Sequence, residues 1–266
     1  MVKRMITLYT HPMSPCAQKV RIVLAEKALN WQPIHVNLQQ KENLQPWYLE
    51  LNPLGVVPTL VEDEKPVIES SLICEYLEDR YPQTSLRSND PHEIASMRLW
   101  LKHIDTKLHP ACGALQWPLI MRPALLEKSQ EEQAALINAV VEEPRRERQR
   151  RLLEMGLEAP DVIGAVKTYA DTIKKMETAL QQHKWLAGEQ ISLADCAMAP
   201  YFQTIKQFGW ALFCEQAPAV AKWFDRISSR ESYQKAVSAD FSDQTNHELL
   251  ETGKRALPII AKHLAS

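Results

Sequence analysis

At 266 residues, 45% of them hydrophobic and 24% charged, the chain is long enough for two domains and too apolar for disorder to dominate. A formal net charge of −2 excludes a global field that would draw it to nucleic acid or an anionic membrane, so partners must be argued from local sites. No apolar stretch of signal-peptide character and no run of about 18 apolar residues follows Met-Val-Lys-Arg-Met, which reads as a tail before a strand, and the expectation is a cytoplasmic enzyme.

Strand and helix signals alternate through the first eighty residues, and everything after Pro91 reads as helix and loop. A strand at 6–9, a helix over 15–28 and a strand at 33–38 compose one βαβ unit. A short helix over 46–51 and the turn Asn52-Pro53-Leu54-Gly55 come next. Strands at 56–61 and 65–68 form a hairpin around Glu62-Asp63-Glu64. The spacing of Leu72, Ile73, Tyr76 and Leu77 predicts a helix over 70–81, stopped by Pro82. Polar residues 82–91 read as a linker, and Asp90-Pro91 as an N-cap with proline in the first turn of a long helix whose apolar stripe is Ile94, Met97, Leu101, Ile104 and Leu108. Residues 1–82 are therefore expected to be an α/β domain and 91–266 an all-α domain.

Residues 129–156 are highly charged and include Arg145-Arg146-Glu147-Arg148-Gln149-Arg150-Arg151. The run lacks interleaved aromatics and follows Glu142-Glu143, so it reads as a solvated helix face and not as a nucleic-acid site. Helical patterns resume at 162–180, 192–208 and 218–229, and a C-terminal helix is expected over 249–265.

Five cysteines without paired spacing read as reduced thiols. Cys74, Cys112, Cys196 and Cys214 fit small core positions. Cys16 differs in its place: Ser14-Pro15-Cys16 puts a hydroxyl and a thiol at a helix N-terminus, where unpaired N–H groups and the helix dipole favour a thiolate. As a helical position alone, Cys16 reads as turned into the core. No Cys/His spacing resembles a metal site, so no metal is expected, and His103 and His109 read as satisfied or exposed histidines.

Four pieces stand in order: Ser14 followed by Val20-Arg21-Ile22; Asn52-Pro53-Leu54-Gly55-Val56-Val57-Pro58-Thr59-Leu60; Glu69-Ser70; and Ser192-Leu193-Ala194-Asp195. With the βαβ then ββα order, the chain resembles the cytosolic glutathione transferases over nearly its whole length. The resemblance implies a thioredoxin-like N-terminal domain, an all-helical C-terminal domain carrying the acceptor pocket, glutathione as co-substrate, a small hydrophobic electrophile as second substrate, and a homodimer. It also implies a cis Val57–Pro58 bond, with the Val57 backbone pairing with the cysteinyl unit. Ser70 would meet the γ-glutamyl carboxylate, Glu69 the ammonium, and Lys41 the glycyl carboxylate. Ser192 and Asp195 match a capping box worth about 1 kcal/mol or more.

For thiol chemistry two residues stay open. Ser14 aligns with the serine that donates to the glutathione thiolate in some classes, and Cys16 with the cysteine that forms a mixed disulfide in another. The acceptor pocket is expected where the first helix of the second domain faces Ser14, with His11, Met13, Trp100, His103, Ile104, Lys107 and Trp117 as candidates, although tryptophans are more often core. Residues 130–160 and Ile73-Cys74-Glu75-Tyr76-Leu77-Glu78-Asp79 look similar to transferases of the β-aryl etherase kind, but the Ser-Pro-Cys loop departs from them. The alternatives to a transferase are a Cys16-dependent thiol transferase or reductase, a β-aryl etherase, and a non-catalytic binding protein of the same fold.

Overall fold

The computed structural model describes residues 5–264; most of the expected leading tail (1–4) and the end of the expected 249–265 helix lie outside the described residues. β1 (Ile6–Thr10) alternates buried Ile6, Leu8 and Thr10 with half-buried Thr7 and Tyr9, the period of a strand with one face on a core. α1 (Pro15–Glu26) starts after Ser14, whose Oγ accepts the Ala17 N–H at 3.3 Å, with Pro15 where no N–H is required. β2 (Trp31–His35) returns parallel to β1, with Leu8 opposite Pro33. It ends short of the expected residue 38 because Glu42 Oε2 takes the Asn37 N–H at 2.7 Å and turns the chain away from the ladder.

α2 (Pro46–Leu51) leads into the turn at Gly55, whose φ of +61° suits glycine and where a Cβ would lie 2.7 Å from Leu44. β3 (Thr59–Glu62) begins three residues later than expected: Val56, Val57 and Pro58 form an irregular loop, and Pro58 has no N–H for a ladder. β3 pairs antiparallel with β1, Leu60 opposite Leu8, and with β4 (Lys65–Val67), which gives a four-stranded sheet in the order β2-β1-β3-β4. α3 (Ser70–Arg80) closes this half.

α1 is covered on both sides, by the sheet and α3 and by helices of the second half, so most of its residues are buried, Lys19 and Arg21 included, as is Lys27 at its C-cap. Each cation is matched. Lys19 Nζ donates to Asp105 Oδ1 (2.8 Å) and Ser71 Oγ (3.0 Å). Arg21 donates to Thr10 Oγ1 (3.0 Å) and Ala236 O (2.8 Å) and pairs with Asp240 (2.5 Å). Lys27 pairs with Glu78 at 2.6 Å. Lys19 and Arg21 thus tie the sheet half to the helical half, and the position of the site rests on that seam.

The second half is helical throughout. α4 (Pro91–His103) is capped by Asp90, which accepts from the His92 and Glu93 N–H groups at 2.7 and 3.1 Å. A π turn at Ile104–Leu108 joins it to α5 (His109–Ile120). There follow α6 (Arg122–Leu126), α7 (Gln130–Asn138), α8 (Glu143–Met155), α9 (Pro160–Gln182), α10 (Leu193–Gln207), α11 (Pro218–Ser228), α12 (Glu231–Ala236) and α13 (Asp243–Leu264). Among the described residues no helix is long and apolar enough to cross a membrane.

Asp195, fully buried at the start of α10, accepts four hydrogen bonds: from Ser192 N (2.9 Å), Ser192 Oγ (3.0 Å), Leu186 N (3.0 Å) and Trp223 Nε1 (2.8 Å). The capping box is therefore the junction of two loops and a tryptophan, more than a helix start. Asp195→Ala strands those donors and is expected to cost about 3 kcal/mol, read as a fall in the urea midpoint. A loss under about 1 kcal/mol would show that water replaces the carboxylate there.

Candidate active site

A cavity of about 390 Å³ opens where the N-terminus of α1 faces α5 and α8. Ser14, Cys16, Val57, Pro58, Glu69 and Ser70 line one side, and Asp105, His109, Gly113, Trp117, Arg145 and Arg148 are among the residues lining the other. Each wall follows from local structure. α1 presents Ser14 and Cys16 because its first turn sits at the carboxyl end of β1. The Val57–Pro58 peptide is cis, as the resemblance implies. Glu69 has a φ of +68° and stands directly before α3, so the first N–H groups of α3 and the Ser70 side chain face the cavity.

Ser14 Oγ accepts from Ala17 N, which leaves its O–H free to donate. Cys16 is half-buried and lines the cavity instead of turning into the core. Its Sγ lies 3.5 Å from His109 Nδ1 and 3.7 Å from Nε2. Burial pushes this thiol up, but the charge and hydrogen bond of His109, the charge of Lys19 and a hydrogen bond from Ser70 together bring it down to about 6. Lys19 in turn is penalised by burial yet held protonated by Cys16 and Asp105. The other thiols behave oppositely: burial pushes Cys74 up to about 12 and Cys112 and Cys214 to about 11, and Cys196 rises as well. Cys74, Cys112 and Cys196 are buried and Cys214 half-buried.

Of the expected acceptor-pocket residues, Trp117 lines the cavity and the others do not. Trp100 Nε1 donates to Leu186 O at 3.0 Å, His103 Nε2 meets Thr172 Oγ1 at 2.8 Å, and Ile104 is fully buried in the core. Lys107 is exposed. His11 accepts the Met13 N–H at Nδ1 (3.2 Å) with its ring 5.1 Å from that of His35. Burial, then the charges of His35 and Arg21, push His11 down to about 4, so it is neutral at physiological pH. Met13 packs against the hydrophobic core. The physical reason for the α4 misplacement is the π turn: one extra residue rotates the helix face, and the cavity takes Asp105, His109, Gly113 and Trp117, four apart.

Lys41 is half-buried in the loop before α2 and does not line the cavity. Burial first, and the charge of Arg145 second, lower its pKa. Arg145 and Arg148 line the cavity, which corrects the reading of the arginine run as a solvated face. Sequence reasoning also missed His109 as a thiol partner, and Lys19. For the helical wall the signals were present as spacing, at 105/109/113/117 across the π turn and α5 and at 145/148/149/152 on α8. Among the described residues, no three of His, Cys, Asp and Glu come together as a metal-holding group.

A sheet in this order with helices beside it, a helical second half, and a cleft at the α1 N-terminus define a thioredoxin-like domain joined to an all-α partner. The family model of the glutathione S-transferase N-terminal domain matches residues 8–85 and that of the C-terminal domain residues 158–231. The chain belongs to the glutathione S-transferase family. It is similar to protein LigF of Sphingobium sp. (strain NBRC 103272 / SYK-6), 28% identical over 92% of this chain and 100% of that one. It is also similar to maleylacetoacetate isomerase of Pseudomonas aeruginosa, 30% identical over 89% of this chain and 97% of that one. Among solved structures, the beta-etherase LigF from Sphingobium sp. strain SYK-6 superposes with a TM-score of 0.79 at 27% identity, covering 87% of this chain and 98% of that one.

Proposed function

We propose that the chain is a glutathione transferase that ionises the glutathione thiol at the N-terminus of α1 and presents it to a small hydrophobic electrophile. The observation that carries this reading is the shared cavity of Ser14, Val57–Pro58 and Glu69–Ser70 opposite Trp117. In it the Val57 backbone pairs with the cysteinyl unit, Ser70 and the α3 N-terminus take the γ-glutamyl carboxylate and Glu69 its ammonium, while Lys41, outside the cavity lining, is the proposed partner of the glycyl carboxylate. Residues 1–82 hold glutathione, and 91–266 supply the acceptor wall, from α5 and α8.

The reaction needs little more. The thiol proton leaves to solvent, and the Ser14 O–H donates to the resulting thiolate. Sulfur then attacks an electrophilic carbon, the S–C bond forms, and the leaving group departs with the electron pair of its bond. Likeness to the beta-etherase makes an aromatic ether one candidate acceptor, its C–O bond breaking to release a phenolate. The five free cysteines suit a reducing cytoplasm. A second copy of the chain is the proposed partner in a homodimer: Leu72 on α3 and Leu99 on α4 are 60% and 68% exposed, beside the Arg98–Glu75 bridge that joins those helices. A monomer mass in sedimentation would remove that partner. The reading as a whole is tested by titrating the glutathione thiol in the complex, which is expected to ionise below its free value; an unshifted titration removes it.

The Cys16–His109 contact favours a second reading. A Cys16 thiolate attacks the glutathione sulfur of a glutathionylated substrate, the substrate thiolate leaves, and a Cys16–glutathione disulfide forms. A second glutathione thiolate resolves it, yielding oxidised glutathione and free Cys16.

A further inference from the structure

The arginine-rich helix α8 divides its cations between two jobs. Arg146 donates to Val140 O at 3.0 Å, Arg150 to Glu147 at 2.5 Å and to Asn138 at 3.0 Å, and Arg151 clasps Asp161 at 2.7 and 2.8 Å. These three hold the helix in place. Arg145 and Arg148 make no hydrogen bond or ion pair among the described residues, are half-buried, and line the cavity together with Gln149 and Leu152. The positions 145, 148, 149 and 152 form one helix face.

Two neighbouring guanidiniums, partly desolvated and unpaired, are costly unless something anionic enters. Burial lowers the pKa of both, against the charges of Glu142 and Cys16 at Arg145 and of Asp161 and Glu142 at Arg148. Gln149 marks the same wall as a ligand site, its acceptor oxygen calling for a donor group on the ligand next to the carboxylate that the arginines would hold. It is 6% exposed, its amide oxygen has no partner, and it lies on the same wall. Beside them on the same side of the cavity are Trp117 and Gly113 of α5, and a Cβ added at Gly113 would meet nothing within 4 Å.

We propose that the acceptor is an electrophile ending in a carboxylate, which Arg148 and Arg145 hold while its apolar body lies against Trp117 and Leu152. The inference rests on the transferase reading and narrows its substrate class. On the transferase reading glutathione's carboxylates go to the α3 N-terminus and to Lys41, which lies outside the cavity lining, and that leaves these arginines uncommitted. Since Arg145 also depresses Lys41, the glycyl carboxylate is the rival ligand, and the test separates the two.

The probes are 4-fluoro-3-nitrobenzoate and 4-fluoro-3-nitrobenzamide, which differ in charge at one group and release fluoride on attack by the glutathione thiolate. With each rate divided by its uncatalysed rate, the acid is expected to be preferred about tenfold or more in kcat/KM, the scale of a charge-assisted contact. Arg148→Gln and Arg145→Gln are expected to collapse that ratio, and Arg148→Lys to recover part of it. Equal use of acid and amide by the unaltered protein overturns the proposal, as does a ratio that survives both glutamine variants. So does a loss confined to glutathione affinity in calorimetry, which would assign the arginines to the glycyl end. Calorimetry with unreactive 3-nitrobenzoate and 3-nitrobenzamide, without glutathione, gives a readout independent of turnover. Carboxylate-selective binding with no turnover would overturn the transferase reading alone, and equal binding would overturn this inference alone.

Discussion

Ser14→Ala is expected to return the bound glutathione thiol toward its free pKa and to lower kcat/KM about a hundredfold. A cysteine-like thiol near 8.5 is only about 3% ionised at pH 7, and each unit of depression is worth about 1.4 kcal/mol. A hydroxyl donating to a thiolate contributes about 1.5–3 kcal/mol, enough to account for one to two units. Ultraviolet thiolate absorbance across pH reads the shift directly, because loss of the donor moves the inflection upward. The same change removes the cap on Ala17 N and costs about 1 kcal/mol of stability, a loss that α1 can absorb given its matched Lys19, Arg21 and Lys27. An unmoved inflection with unchanged turnover would take Ser14 out of the chemistry.

Alkylation of Cys16 by iodoacetamide is expected to follow an inflection near pH 6, and His109→Ala is expected to move it upward. The sign follows from the charges: the thiolate is favoured by His109 and Lys19, so removing the histidine restores the thiol at acid pH. Above the inflection the thiolate predominates; below it reactivity falls tenfold per unit. A lower pKa also makes the sulfur less nucleophilic, so the contrast at neutral pH is small, whereas at about pH 5.5 the variant is expected to react about tenfold more slowly. Peptide mapping isolates the site, since burial pushes Cys74, Cys112, Cys196 and Cys214 upward. An inflection above pH 8 in the unaltered protein would dissolve the Cys16–His109 pair. Turnover separates the two functional readings: if Cys16→Ser abolishes it and Ser14→Ala does not, disulfide exchange replaces thiolate transfer.

Half of the cavity was legible from local pattern and half was not. Ser14, Val57, Pro58, Glu69 and Ser70 belong to motifs a few residues long, each at a strand end or helix start, and the resemblance to the glutathione transferases is what joins them into one site. The α4 and α5 wall was misplaced because the apolar stripe from Ile94 to Leu108 continues through a π turn that no residue spacing marks. Helical position leaves Cys16 open between the core and thiol chemistry, and the fold places it in the cavity, with His109 of α5 at 3.5 Å.

The order of strands and helices, the α1 cap, the turn at Gly55 and the Asp90 and Ser192 helix starts are properties of neighbouring residues, and the linear chain carried them, because backbone preferences and capping act over four or five positions. The meeting of Cys16 with His109, of Lys19 with Asp105, and of Arg145 and Arg148 with the cavity joins residues about ninety or more positions apart. Such contacts depend on the angle at which the helical half docks on α1, which packing across the whole seam sets, so only the folded molecule could reveal them.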